Sequence, residues 1–311
     1  MGAQIEIHAA SAEERAAADR NVYEVWGRGL PLEEFLERRA TSVVHRRAEW
    51  FVLTIGGAVI ASLARHPLRF HYRGQVVVGS GIGSVHTVPE HRRRGYAAAL
   101  LREVNQRSAG EGHRISLLFS DIKPGYYERL GYVRWPSLVF RAEAESLASG
   151  EEELRLEPTQ PQEQVELLAG LYDGWHGGYQ LYVDREREYW EYSLMKNSPE
   201  EVFLAVEPGG RTAGYVRLKS KEGTLEVTEL GLGPEDRGQE ETLYRAVGEL
   251  AHARGLGTAE GWLPNTTTAR ALFACEPRTV RITMLAALAD EIEFETDMIL
   301  TGSHFWVTDH F

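Results

Sequence analysis

Ser84-Val-His-Thr-Val-Pro-Glu-His-Arg-Arg-Arg-Gly-Tyr-Ala-Ala-Ala-Leu-Leu101 is the segment from which the architecture of this chain is predicted. It reads as an apolar strand, a turn rich in Arg and Gly, and then a helix. Such a turn leaves backbone N–H groups directed outward at a helix N-terminus, where the helix dipole adds partial positive charge. Gly95 stands where the backbone must come close to a phosphate. The segment therefore predicts a site for a diphosphate.

Two motifs in the first half of the chain belong together. The segment Arg92–Ala97 has the pattern Arg/Gln-x-x-Gly-x-Gly/Ala, and the segment Tyr127–Tyr132, with the sequence Tyr-Glu-Arg-Leu-Gly-Tyr, follows about thirty residues later. Together they resemble the acetyl-CoA signature of the GNAT superfamily of N-acetyltransferases. The resemblance implies an α/β fold with a mixed, twisted sheet flanked by helices. It also implies acetyl-CoA as the cofactor.

The same resemblance implies which residues contact acetyl-CoA. Backbone groups of the strand would pair with the pantetheine amides, and the N–H group of Thr87 would hold the thioester carbonyl. The turn and the start of the helix would hold the pyrophosphate, and a serine after the next strand would bind the pantetheine or the adenosine part. The cofactor-binding residues implied in this way are Val85, His86, Thr87, Arg92, Arg93, Arg94, Gly95, Tyr96, Ala97, Ala98 and Ser120.

Tyr127 is the candidate general acid for the departing thiolate. Its position matches the tyrosine of the family, and a phenol with a pKa of about 10 still carries its proton at neutral pH. Two alternatives are that the adjacent Tyr126 is the acid, or that Tyr127 is an ordinary buried aromatic residue with no catalytic role. The motif marks no Asp, Glu or His as the base, so Glu24 on the first predicted helix is kept as one candidate.

The chain contains an internal repeat. Pro89-Glu-His-Arg92 recurs as Pro234-Glu-Asp-Arg237, each between a strand pattern and a helix pattern. We expect two tandem GNAT folds, a catalytic domain over residues 1–142 and a degenerate copy over residues 153–291. The second copy places Glu240 where Gly95 stands in the first, and a carboxylate there would repel a diphosphate. One cofactor per chain is therefore expected.

The last residues, 292–311, are expected to dock back on the body of the protein, because they end in aromatic rather than polar residues. The overall layout resembles the enhanced intracellular survival acetyltransferases, which carry a further sterol-carrier-like domain. In that family the terminal carboxylate serves as the base. The resemblance therefore implies a catalytic role for Phe311, with an anchoring role as the alternative.

The distribution of charge along the chain limits the classes of ligand that we expect it to bind. Residues 1–142 hold 20 Lys and Arg against 14 Asp and Glu, and the remainder holds 14 against 32, so the halves carry +6 and −18 of the total charge of −12. A basic first half suits a phosphorylated cofactor, and an acidic second half disfavours nucleic acid.

Cys275 is the only cysteine, and the histidines lack metal-ligand spacing, so no disulfide or metal site is expected. No apolar run predicts a membrane span, and we expect a cytoplasmic protein.

These observations predict an acetyl-CoA-dependent N-acetyltransferase that acts on a primary amine of a small molecule. Two alternatives remain: a protein that binds acetyl-CoA as a sensed ligand without turnover, and an acetyltransferase of proteins or peptides. Homo-oligomerisation is a further possibility, since large companion domains in such proteins often mediate assembly.

Overall fold

The computed structural model describes residues 4–148, 154–197 and 200–311. These residues form two mixed α/β units with similar sheets, which confirms the predicted fold class of two tandem copies. The strands, in chain order, are β1 (Ile5–Ala9), β2 (Glu49–Ile55), β3 (Ala58–Tyr72), β4 (Gln75–Thr87), β5 (Ile115–Ser120), β6 (Val133–Arg134), β7 (Leu138–Glu143), β8 (Arg155–Pro158), β9 (Leu181–Asp184), β10 (Glu201–Val206), β11 (Thr212–Lys221), β12 (Thr224–Leu232), β13 (Thr258–Gly261), β14 (Ala274–Pro277) and β15 (Ile282–Ala287).

Helices cover both sheets. They are α1 (Ala12–Asn21), α2 (Tyr23–Trp26), α3 (Leu32–Thr41), α4 (Val43–Arg47), α5 (Tyr96–Gly110), α6 (Gly125–Glu128), α7 (Ala144–Leu147), α8 (Val165–His176), α9 (Arg187–Lys196), α10 (Glu240–Ala253), α11 (Thr267–Leu272) and α12 (Thr296–Leu300). A capping box begins α1, because the Ser11 hydroxyl accepts from the Glu14 N–H and the Glu14 carboxylate accepts from the Ser11 N–H.

The two sheets follow the same order of strands. The first runs β1-β2-β3-β4-β5-β15-β6, with β9 added beside β3, and the second runs β8-β10-β11-β12-β13-β7-β14. Each sheet has one parallel pair, β4 with β5 and β12 with β13, and the remaining pairs are antiparallel. Position by position, β12 is the counterpart of β4 and β13 that of β5.

The last strands of the two units are exchanged. β7 lies early in the chain but joins the second sheet, and β15 lies late but joins the first between β5 and β6. The sequence pattern over residues 132–141 predicts a single strand, and this prediction is wrong, since β6 and β7 belong to different sheets. Pro136, which has no N–H group to donate, lies between them. The predicted ranges 1–142 and 153–291 do not coincide with the two sheets.

A shared core joins the units. Phe70 and Leu117 of the first sheet pack in one cluster with Leu181, Met298 and Phe305 from the second half of the chain. A separate cluster lies under α5, and a larger one fills the second unit. The two units consequently form one interlocked body in which the chain after β15 runs across both sheets.

Candidate active site

The centre of the first sheet contains a bulge in β4 and an opening between β4 and β5. Ser84 and Val85 of β4 together face the single residue Leu63 of β3, and Ser84 has a positive φ of 51°. β4 pairs with β5 only as far as Ile82, opposite Leu118. The edge of β4 that faces β5 is therefore unpaired after Ile82, and its backbone groups are available to an extended ligand.

The Arg/Gly turn follows this edge and ends at a bare helix terminus. Gly95 is the N-cap of α5 with a φ of 84°, a conformation that favours glycine, and no side chain of the described residues caps the helix. The N–H groups of Tyr96, Ala97 and Ala98 consequently have no partner within the helix. The Arg92 guanidinium is held beside them, because its Nε donates to the Thr87 carbonyl oxygen at 3.1 Å.

A cavity of about 600 Å³ connects the bulge, the opening and the turn. Most of the residues that the sequence singled out line it together, although they come from β4, the turn, α5 and α6. These are Val85, His86, Thr87, Arg92, Arg93, Gly95, Tyr96, Ala97 and Tyr127.

Tyr127 lies at the inner wall of the cavity and is 7% exposed. Burial raises the pKa of its phenol well above the ordinary value, and the neighbouring Tyr126 and Tyr132 add to this effect. Its ring packs edge-on against Tyr126, which also lines the cavity and is less buried. Both tyrosines reach the site, and Tyr127 is the one that is kept protonated most firmly.

His86 lines the cavity and carries a buried, unpaired nitrogen. Its side chain is 7% exposed, and its Nε2 has no hydrogen-bond partner among the described residues. The ring lies 6.3 Å from that of Trp26 on α2, measured between centroids. Burial, together with the positive charge of Arg92, lowers the pKa of His86 to about 4, so the imidazole is neutral at neutral pH.

Five expected residues do not line the cavity. Ser120 is committed to a turn, since its hydroxyl donates to the Ile122 carbonyl oxygen at 2.8 Å. Glu24 is exposed on α2. The other three are Arg94, Ala98 and Phe311.

Phe311 instead packs behind the opening of the first sheet. A Cβ atom added at Gly81 would overlap its ring, and one added at Gly83 would come within 3.3 Å of it. The ring also lies 4.6 Å from that of His66 and 5.7 Å from that of Phe119. Because Phe119 lines the cavity, Phe311 supports one of its walls from outside.

The second sheet has no comparable site within the described residues. At the start of α10, the Glu240 carboxylate accepts from the Thr266 hydroxyl at 2.7 Å. Arg237 is turned away, because its Nε donates to the Gly174 carbonyl oxygen at 2.8 Å. The positions that correspond to Arg92 and Gly95 of the first unit are thus engaged by the chain's own groups.

The opening of the second sheet is filled by the end of the chain. β12 pairs with β13 only as far as Val227, and Glu229 beyond this point accepts from Arg185 at 2.5 Å and from Thr308. Arg185 also binds Asp309 at 2.7 Å. Trp306 is fully buried beside them. Residues 306–309 therefore lie where an extended ligand would enter.

Several cavity residues escaped the sequence analysis. They are apolar or aromatic side chains on α2, at the end of β5 and in the loop before α6, together with one acid: Val25, Phe119, Asp121 and Ile122. Trp26, which the sequence offers as a candidate for the acceptor site, lines the cavity as well. The alternation Gly79-x-Gly81-x-Gly83 marks instead the strand face that Phe70 and Phe311 approach closely. None of the described helices is long and apolar enough to span a membrane.

Comparison with known proteins places the first unit in a family. Residues 6–134 match the family model described as an acetyltransferase (GNAT) domain. The structure is similar to a probable N-acyltransferase from Enterococcus faecalis V583, with 16% identity and a TM-score of 0.74 over 92% of this chain and 73% of that one. No curated protein matched the sequence.

Two further structures bear on the tandem architecture. Eis1 from Mycobacterium abscessus is 18% identical, with a TM-score of 0.63 over 92% of this chain and 74% of that one. A tandem GNAT protein from the clavulanic acid biosynthesis pathway is 14% identical, with a TM-score of 0.53 over 93% of this chain and 100% of that one. Such identities show the fold, and together with the family match they confirm the predicted resemblance.

Proposed function

Since residues 6–134 form a GNAT acetyltransferase domain, we propose that this protein transfers an acetyl group from acetyl-CoA to a primary amine of a small molecule by direct attack on the thioester. One observation carries the proposal. The bulged edge of β4, the bare terminus of α5 and the protonated phenol of Tyr127 all line a single cavity.

The residues at the turn fit a nucleotide diphosphate. Three unpaired N–H groups and the arginines 92 and 93 supply donors and positive charge, and the glycine at position 95 leaves the space beside the backbone open. The unpaired edge of β4 after Ile82 offers backbone groups to the pantetheine amides, as an added strand would use them. When bound there, acetyl-CoA supplies the activated acetyl group.

The chain's own groups then have distinct tasks. Beyond Ile82 the edge of β4 that faces the opening has no partner strand, so a backbone N–H group there can hold a thioester carbonyl oxygen. Tyr127 donates its proton to the departing thiolate, and its raised pKa keeps the phenol protonated at neutral pH before the transfer. The ring of Phe311 packs against Phe119 in the wall of the cavity, which supports an anchoring role for this residue beside the expected role of its terminal carboxylate as base.

The experiment is a thiol-release assay with acetyl-CoA and a panel of small primary amines, followed by mass spectrometry of the products. We expect amine-dependent release of coenzyme A together with an amide product. This product should be about 42 Da heavier than the amine, because one acetyl group replaces one hydrogen atom. Binding of acetyl-CoA without release for any amine would instead indicate a sensor. A further panel of peptides tests the remaining alternative.

A further inference from the structure

A second, smaller cavity lies beside the start of β15, where the loops that follow β6, β13 and α12 meet. Its volume is about 40 Å³. A cavity of about 10–15 Å³ is needed to hold one water molecule, so this one has room for a small ion and none for a nucleotide or a sugar. It shares no lining residue with the cavity of the candidate active site.

Arg278 gives this cavity a positive charge. It lines the wall with 9% of its surface exposed, and no Asp or Glu of the described residues lines the same space. Burial, together with the charge of Arg281, lowers the pKa of Arg278 to about 9, so the guanidinium still carries its charge at neutral pH. Burial also lowers the pKa of His304, in the same wall, well below its ordinary value, and this imidazole adds no charge.

The contacts of the Arg278 guanidinium are all with neutral groups. Its Nη1 donates to the Arg281 carbonyl oxygen at 2.7 Å and its Nη2 to the Thr283 hydroxyl at 3.1 Å. The ring of Trp262 covers one face, with the central carbon of the guanidinium 3.4 Å from the ring centroid. Since Nη1 and Nη2 carry two N–H groups each, one donor remains on either nitrogen. The Nε atom is enclosed and has no partner, so it adds to the uncompensated charge without forming part of the site.

The other buried arginines of the described residues each have a carboxylate as counter-charge. Ion pairs at 2.5–2.7 Å join Arg39 to Asp19, Arg65 to Glu111, Arg185 to Glu229 and Arg217 to Glu200. Over the same part of the chain, no carboxylate forms an ion pair with Arg278. A buried charge without a counter-charge is strongly unfavourable, so this position favours an anion from solution.

We propose that the cavity binds one small monovalent anion of the size of chloride, held in the plane of the Arg278 guanidinium by the remaining N–H groups of Nη1 and Nη2. Asn265 supplies a further donor to the wall, because its Oδ1 accepts from the Arg270 Nε at 2.5 Å and its NH₂ group is left over. The anion takes the place that a carboxylate has beside the other buried arginines. This inference is independent of the proposed acetyltransferase function.

The first test compares thermal unfolding in sodium chloride and in sodium gluconate, whose anion is too large for the cavity. Both salts are used at about 150 mM, so that the screening of surface charges is the same. We expect the Tm of the wild type to be about 2–4 °C higher in chloride, because an anion that binds the folded chain stabilises it. Equal Tm values in the two salts would overturn the proposal.

Two variants assign this difference to the cavity. Arg278→Met, of similar length and without charge, should abolish the difference between the two salts. Arg281→Met, which removes an exposed cation of the same turn, should retain it. The same chloride dependence in Arg278→Met as in the wild type would contradict the site.

A second measurement needs no variant, and it decides the question even if Arg278→Met fails to fold. Crystals of the wild type are soaked in sodium bromide, and the bromide is located by its anomalous scattering. We expect a peak in the cavity, within hydrogen-bond distance of Nη1 or Nη2 of Arg278. A cavity without such a peak would overturn the proposal.

Discussion

Gly95 determines whether the turn can hold a diphosphate. Gly95→Glu introduces glutamate, the residue that stands at the corresponding place in the second unit. The new carboxylate would repel the diphosphate, since two unit charges about 4 Å apart repel by about 4 kcal/mol at an effective dielectric constant of 20. We therefore expect the Kd of acetyl-CoA, measured by calorimetry, to rise by about a hundredfold or more. Gly112→Glu is the matched control, because Gly112 also has a positive φ, of 90°, and open space around it. Equal affinity of both variants would contradict the assignment of the turn.

Tyr127 and Tyr126 can be separated by removing one hydroxyl at a time. Tyr127→Phe should lower kcat by about a hundredfold, within the range for a positioned general acid, and leave the Kd of acetyl-CoA unchanged. Tyr126→Phe should retain most of the activity. Because burial raises the pKa of Tyr127 well above its usual value, wild-type activity should show no loss from its ionisation as the pH rises to 10. The reverse pattern in the two variants would move the acid to Tyr126.

At the scale of elements, β4 is shaped by what packs against it. Gly81→Ala would force the added methyl group into the ring of Phe311, and we expect a loss of about 1–3 kcal/mol in the free energy of unfolding. In the double variant with Phe311→Ala, the combined loss should be smaller than the sum of the two single losses. Gly110→Ala, which has nothing within 4 Å of the added carbon, is the control. Additive losses would show that the ring does not occupy this place in solution.

The elements around the site differ in how far the sequence predicts them. The sequence predicts a strand over residues 75–88 and a helix over residues 97–110, which agree with β4 and α5 within one residue, because a strand pattern, a glycine that favours positive φ and a helix pattern are all local signals. The partners of β7, β9 and β15 were not predicted, since pairing joins residues far apart and no local pattern states which sheet a strand enters. The same reason applies to the site: the turn and Trp26 were identified from the sequence, whereas Val25 and the apolar wall after β5 were not.

Across the whole molecule, the end of the chain is held by a buried cluster of charges. Glu229 and Arg185 are both fully buried, and although burial favours the neutral carboxyl, Arg185 and Arg217 hold the pKa of Glu229 at about 2. The folded pKa lies below the unfolded one, so this group contributes stability above about pH 4.5 and loses it as the pH falls toward 2.

Glu229→Gln should therefore cost about 3–5 kcal/mol in the free energy of unfolding at pH 7, since Arg185 and Arg217 then lack a buried counter-charge. In denaturant titrations, the free energy of unfolding of the wild type should fall between pH 4.5 and pH 2. That of the variant should fall less over the same range. Glu235→Gln, at an exposed position in the same unit, should change neither quantity by more than about 0.5 kcal/mol. A Glu229→Gln protein as stable as the wild type would contradict the role given to the cluster.

The exchange of β7 and β15 also constrains the order in which the molecule can be made. β15 closes the gap between β5 and β6, and its residue Ile282 pairs with Ser120, which precedes it by 162 positions. During synthesis at the ribosome, the first sheet cannot be completed until nearly the whole chain has emerged. Until then, the edge of β5 that pairs with β15 stays exposed. Pairing at such a separation slows folding and leaves strand edges open to other chains. Productive folding of this protein thus depends on keeping the edge of β5 unoccupied until β15 arrives.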